Sequence, residues 1–109
     1  FTVSATIGAL YAASHFAHDF GDEDRAQTYR DAADRMKAAC KKHLWNEQSQ
    51  RFARMATPLP DGTYRLDMTS DSANFALFAF GAFYATDDLI EKEMKGLWDR
   101  LWVKTGVGG

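Results

Sequence analysis

Asp71-Ser72-Ala73-Asn74-Phe75-Ala76-Leu77-Phe78-Ala79-Phe80-Gly81-Ala82-Phe83-Tyr84 carries a formal charge at its first residue and none from Ser72 onward. A helix of that composition has no face that prefers water, so it is expected to be buried nearly all round. Ser70 or Asp71 supplies the start, because a short polar side chain there accepts a hydrogen bond from a helix N–H with no other partner. The pattern predicts a helix over 71–83. A second run of this kind opens the chain, with Val3, Ile7, Leu10, Tyr11, Phe16 and Ala17 among alanines and no formal charge before Asp19. It predicts a helix over 2–20, ended by Gly21 in the left-handed conformation that a helix C-terminus favours.

Each apolar run is followed by a helix of the opposite kind. Over 23–44, Ala26, Tyr29, Ala33, Met36, Cys40 and Leu44 recur at spacings of three and four, while arginine, lysine, aspartate and glutamate fill the other faces. That is one buried stripe on a surface helix. Asp22 can cap it, Glu23 and Asp24 suit its positive end, and Lys41, Lys42 and His43 suit its negative end. Over 88–101, Ile90, Met94, Leu97 and Leu101 form a stripe, with Glu91, Lys92, Glu93, Lys95, Asp99 and Arg100 elsewhere and Asp87 before it as a cap.

Between the second and third helices, Arg51-Phe52-Ala53-Arg54-Met55 and Thr63-Tyr64-Arg65-Leu66 alternate, and Pro60-Asp61-Gly62 is a turn signal, so one small β-hairpin is expected. The order is buried helix, surface helix, hairpin, buried helix, surface helix. It implies an all-α fold, a partial (α/α) toroid of two inner/outer helix pairs with a small β-hairpin insertion. Two charge-free helices have more apolar surface than two striped ones cover, so an isolated monomer should expose a large apolar patch and self-associate.

At 109 residues the chain is one domain at most. It opens at Phe1 and closes on Gly106-Val107-Gly108-Gly109, which reads as residues 1–109 of a longer catalytic domain. Thirteen basic and 15 acidic residues, scattered to a net charge of −2, leave no basic stripe for nucleic acid. No stretch approaches the roughly 20 apolar residues of a membrane span, and no signal peptide is visible. Cys40 is the single cysteine, which rules out an internal disulfide and suits a reducing cytoplasm.

Candidate chemistry is sparse. His15 and His18, one helical turn apart, could hold a metal with Asp19 or Asp22, but they lack the glutamate and third ligand of a zincin motif and suit a helix C-terminus. Asp67 and Asp71 could be an acid/base pair, yet they straddle a helix start where aspartate is the ordinary cap; Asp87 and Asp88 read the same way. Cys40 lies on a buried stripe without a basic neighbour there, as a packed thiol does, so Cys40 and His43 are not read as a dyad. The aromatic residues, Trp45, Trp98, Trp102, Tyr11, Tyr64, Tyr84 and eight phenylalanines, suit a core as well as a sugar platform. No glycine-rich phosphate loop is present, and no metal or cofactor is expected.

Three stretches carry a resemblance: Phe1-Thr2-Val3 opening an alanine-rich helix; Leu44-Trp45-Asn46-Glu47 with Gln50-Arg51-Phe52-Ala53-Arg54; and Leu66-Asp67, Asp71-Ser72, Phe80-Gly81, Asp87-Asp88 and Leu101-Trp102-Val103-Lys104-Thr105 running into Gly106-Val107-Gly108-Gly109. Together they resemble glycoside hydrolase family 15, which contains glucoamylases, glucodextranases and related trehalose-cleaving enzymes. The sequence departs from the family where Leu89-Ile90 replace a commoner proline and arginine, and where Ala73-Asn74 replace a commoner serine and apolar residue. The resemblance implies an (α/α)6 barrel whose active-site funnel opens at the N-terminal ends of the inner helices. It also implies inversion at an α-glucoside or α-glucan, with an acid and a base roughly 6.5 to 9.5 Å apart. It places the general acid just before Phe1, a substrate-binding arginine just after Gly109 and the general base far beyond. On that reading no catalytic or substrate-binding residue falls within the chain, which acts as structural wall and is inactive alone. A competing reading, a helical-repeat interaction module suggested by Ala26, Tyr29 and Ala33, needs self-similarity near 34 residues that the sequence does not show.

Overall fold

The structure, a computed structural model, describes residues 1–108; Gly109, last in the glycine run quoted above, lies outside the described residues. Helix α1 spans Thr2–Asp19 and α2 spans Glu23–Leu44. Their junction is closed locally. Gly21, at φ +79°, donates to the His18 carbonyl at 2.9 Å, and the Asp22 N–H reaches the Ala17 carbonyl at 2.8 Å. These two bonds satisfy carbonyls that a helix end leaves open. Asp22 then caps α2 through Oδ1, which accepts from the Arg25 N–H.

The two helices pack along Ile7 and Ser14 on one side and Ala26, Ala33 and Cys40 on the other, the last three at heptad spacing and all buried. Small residues let the backbones approach, and Ser14 Oγ donates to the Ala26 carbonyl at 2.8 Å across the contact. Fully buried Ile7 contributes about 2 kcal/mol of apolar burial there.

From Trp45 the chain forms two separate antiparallel ribbons instead of one hairpin. Strands β1 (Trp45–Asn46) and β2 (Arg51–Phe52) pair with Trp45 opposite Phe52, around a turn in which Gln50 takes φ +54°. Strands β3 (Met55–Pro58) and β4 (Tyr64–Asp67) pair with Met55 opposite Asp67 and Pro58 opposite Tyr64, around a turn with Gly62 at φ +82°. The expected strand 51–55 breaks at Ala53 and Arg54 because the backbone changes partners. The Ala53 N–H reaches back to the Leu44 carbonyl, and that of Arg54 forward to Asp67.

The expected third helix is also shorter than 71–83. A 3-10 turn over Ser72–Phe75 leads into a single α-turn, α3 (Ala76–Ala79). Gly81 at φ +76° then folds the chain back, so that the Phe83 N–H meets the Leu77 carbonyl. Ala82 and Phe83 therefore enter the core from a loop. Helix α4 (Asp88–Leu101) packs against β2 and the 3-10 turn.

These findings correct the all-α partial toroid. With α3 one turn long there is no second inner helix to pair with α4. The ribbons are integral, since Phe52 and Ala53 are buried and Phe52 lies edge-on to Trp45 at 5.0 Å and beside Phe83 at 6.1 Å. The fold is a small α+β arrangement. A second correction concerns α4: its buried residues are Ile90, Glu93 and Leu97, so a carboxylate occupies the stripe, while Leu101 is exposed.

The molecule is a slab 20 Å thick and 55 Å long, with a radius of gyration of 16.3 Å, against about 13 Å for a compact domain of this length. Phe16, Phe20, Phe75, Phe80 and Tyr84 are exposed in consequence, so α1 and the 72–84 segment are not buried all round. No helix among the described residues is long and apolar enough to cross a membrane.

Candidate functional site

One cavity, of about 620 Å3, is framed by the first residues of α1 (Phe1 to Ser4), the last turns of α2, the β2–β3 segment and the start of the 3-10 turn (Asp71 to Asn74). That volume falls within the range of small-molecule sites. Phe1, Val3, Met36, Leu44, Phe52, Met55 and Leu77 make most of its wall apolar. Polar groups converge from Arg54, Asp71 and Asn74, and Tyr64 closes one side with its ring 5.0 Å from that of His43.

Arg54 stands between two carboxylates, its Nε 3.8 Å from Asp67 Oδ2 and 3.7 Å from Asp71 Oδ2. The remaining oxygens hold backbone: Asp67 Oδ1 accepts from the Thr69 N–H, and Asp71 Oδ1 from the Ala73 N–H at 2.8 Å. Hydrogen bonds from Thr69, helped by the Arg54 charge, hold the Asp67 carboxyl below its usual range. A general acid needs a carboxyl that keeps its proton. The structure thus brings Asp67 and Asp71 to one guanidinium, as turn and cap residues.

Cys40 also faces the cavity, and burial pushes its thiol up to about 11, outweighing nearby positive charge including Lys41. At neutral pH it is a packed thiol. His18 lies apart on the surface, with Nδ1 2.6 Å from Glu23 Oε1, and no group of three or more His, Cys, Asp or Glu among the described residues could hold a metal ion. Asp87 caps α4, accepting from the Leu89 N–H, and pairs with Lys41 Nζ at 2.8 Å; Asp88 is exposed in the first turn of that helix.

One polar residue of the cavity wall, Asn74, and the buried carboxylate behind it, Glu93, escape a reading of local pattern. Asn74 is 7% exposed and donates through Nδ2 to Glu93 Oε1 at 2.8 Å; Glu93, 1% exposed, takes the Phe52 N–H on Oε2 at 2.7 Å. A signal for Glu93 existed, because it falls three residues after Ile90 and four before Leu97, on the stripe itself. Comparison with family models, with curated proteins and with solved structures found no match.

Proposed function

We propose that the chain is part of an inverting glycoside hydrolase acting on α-glucosides, a glucoamylase-like enzyme of carbohydrate metabolism, and that it supplies cavity wall without the acid or base. The observation that carries this reading is the meeting of two chain segments. The first residues of α1 and the start of the 3-10 turn at Asp71 to Asn74 open on the same cavity. Apolar and aromatic walls with a few convergent polar groups suit a sugar, whose ring faces are apolar and whose edge bears hydroxyls.

The flanking coding sequence tests this first. It should encode a tryptophan- and glutamate-bearing loop directly before Phe1, and flanks without one overturn the reading. The isolated chain should not turn over maltose or a nitrophenyl α-glucoside; turnover abolished by Asp67→Asn or Asp71→Asn would place the catalytic carboxylates inside it. A buried free Cys40 suits a reducing compartment, and the cytoplasm is our reading of location. The helical-repeat alternative gains no support, since the two halves of the chain do not fold alike.

Independently of that reading, we propose that the isolated chain self-associates, because its charge-free segments leave apolar surface uncovered. It exposes 7410 Å2, against roughly 6,100 Å2 for a compact monomer of its 12.2 kDa. The excess exceeds the roughly 800 Å2 that each partner buries in a standard interface. Phe75, Phe78 and Ala79 are our contact residues, with Phe75 46% exposed and Phe80 43% exposed beside it. Sedimentation at micromolar concentration should show dimers or larger species that Phe75→Asp weakens. A monomer that binds no apolar dye would show that this surface needs no cover.

A further inference from the structure

A carboxylate removed from water is costly unless its oxygens are hydrogen-bonded. Glu93 meets this with two neutral donors, the Phe52 backbone N–H on Oε2 and Asn74 Nδ2 on Oε1. The Phe52 N–H points one way and can only donate. The carboxylate can only accept, so it obliges Asn74 to turn its NH2 inward. That leaves Asn74 Oδ1 on the far side of the carboxamide. Oδ1 takes no hydrogen bond among the described residues, and no buried side-chain nitrogen or oxygen among them lacks a partner, so Oδ1 is accessible; the cavity that Asn74 lines is the open space beside it.

We propose that Glu93 is a positioning residue that locks the Asn74 carboxamide, so that the cavity presents Oδ1 as a fixed acceptor for a donor group of a neutral, hydroxyl-bearing ligand. The lock follows from the geometry alone; the assignment of the donor to a sugar hydroxyl rests on the α-glucoside reading. Phe52 and Leu77 line the same cavity, so the acceptor shares its wall with apolar side chains as well as with Arg54 and Asp71. Asn74 also sits where the resembled family more often has an apolar residue, so the device belongs to this chain. Its value is direction, because an unlocked asparagine presents donor and acceptor in turn, whereas a locked one distinguishes them.

An isosteric exchange tests the lock. In Glu93→Gln, Oε1 of the new side chain keeps the Phe52 N–H and its NH2 faces Asn74, which must then flip and turn its own NH2 to the cavity. In Glu93→Gln with Asn74→Asp, that NH2 meets a carboxylate, and the cavity again receives an acceptor. The probe is the full 109-residue chain labelled with 15N, read by side-chain amide exchange and by maltose titration. The wild-type Asn74 NH2 should exchange at least about tenfold more slowly than a free side-chain amide, and Glu93→Gln should pass that protection to residue 93. Maltose should shift cavity resonances. Its affinity should fall about fivefold in Glu93→Gln, since a hydroxyl still accepts from the flipped amide, and return to within about twofold in the double variant.

Unprotected Asn74 NH2 protons in the wild-type chain overturn the lock without any variant having to fold. Protection that stays on Asn74 in Glu93→Gln overturns it as well. Protection that transfers as stated, with no cavity resonance moved by maltose in any form, upholds the lock and removes the α-glucoside as its ligand.

Discussion

Residues 1–44 and residues 45–101 are held together differently. The first region is two long helices joined by a turn, closed by small residues at regular spacing and by backbone bonds to near neighbours. The second is two-residue and four-residue strands, a 3-10 turn, one α-turn and one long helix, and few of these would persist alone. Polar bonds between distant residues tie it together, Phe52 and Asn74 to Glu93 and Arg51 and Arg100 to the Ser70 hydroxyl, while Lys41 to Asp87 joins it to the first region. A region stabilised by periodic apolar contact tolerates the loss of a polar group. A region stabilised through a few buried polar atoms does not.

The largest expected effect follows from that difference. Glu93→Ala leaves the Phe52 N–H and the Asn74 amide buried without partners and opens a void, at a cost of about 3–4 kcal/mol. Hydrogen exchange should quicken in β2, the 3-10 turn and α4 well before α1 and α2. Uniform quickening would show that the two regions unfold as one unit and that the contrast has no energetic content.

Next in size is Gly8, where the regions touch. A Cβ built there would lie 2.1 Å from the Phe80 carbonyl oxygen, so Gly8→Ala must push α1 off the turn that precedes Gly81. Helix propensity alone favours alanine by about 1 kcal/mol at a helix interior. The close approach should reverse that sign and destabilise the chain by about 2 kcal/mol, read by urea unfolding. Stabilisation would mean that α1 does not rest on that turn in solution.

The same contrast explains what could be read in advance. Residues 2–20, 23–44 and 88–101 match α1, α2 and α4 closely because apolar spacing, Asp22, Asp87 and Gly21 are local signals. The turn at Pro60-Asp61-Gly62 was legible for the same reason, as was the cap at Asp71. The 71–83 helix failed because Gly81 and the bond from Phe83 to Leu77 override a charge-free run that says only "buried". At the cavity, Asp71 was visible as a cap, and Asp67 beside it only as a neighbour of the same helix start. Arg54 between them and the Glu93–Asn74 pair were not, because each joins residues 13 or more positions apart and spacing within one element carries no such information.

Two caps allow a finer comparison. Asp71 and Asp87 each accept from the N–H two residues on, but Asp87 also holds Lys41. Asp71→Ala should cost about 1 kcal/mol, the worth of a cap, and Asp87→Ala about 1–2 kcal/mol, since it loses a partly buried ion pair as well. Equal losses in thermal unfolding would show that the Lys41 contact adds nothing.

The smallest effect isolates that charge. Burial alone would raise the Asp87 carboxyl, but the hydrogen bonds from Lys41 and the Leu89 N–H, with the charges of Lys41 and Lys37, outweigh it and hold the group below its ordinary value. A carboxyl lowered on folding stabilises the folded state above the unfolded pKa, near 4, and the contribution disappears as pH falls through the lower folded value. Asp87→Asn separates cap from charge, because asparagine caps as well as aspartate does. Wild type should therefore be the more stable of the two at pH 7, and the difference should shrink in acid below about pH 4, measured as urea midpoints from pH 7 to 2. A difference that stays constant to pH 2 would mean that Asp87 acts through its cap alone, and that the Lys41 contact contributes nothing to joining the two regions.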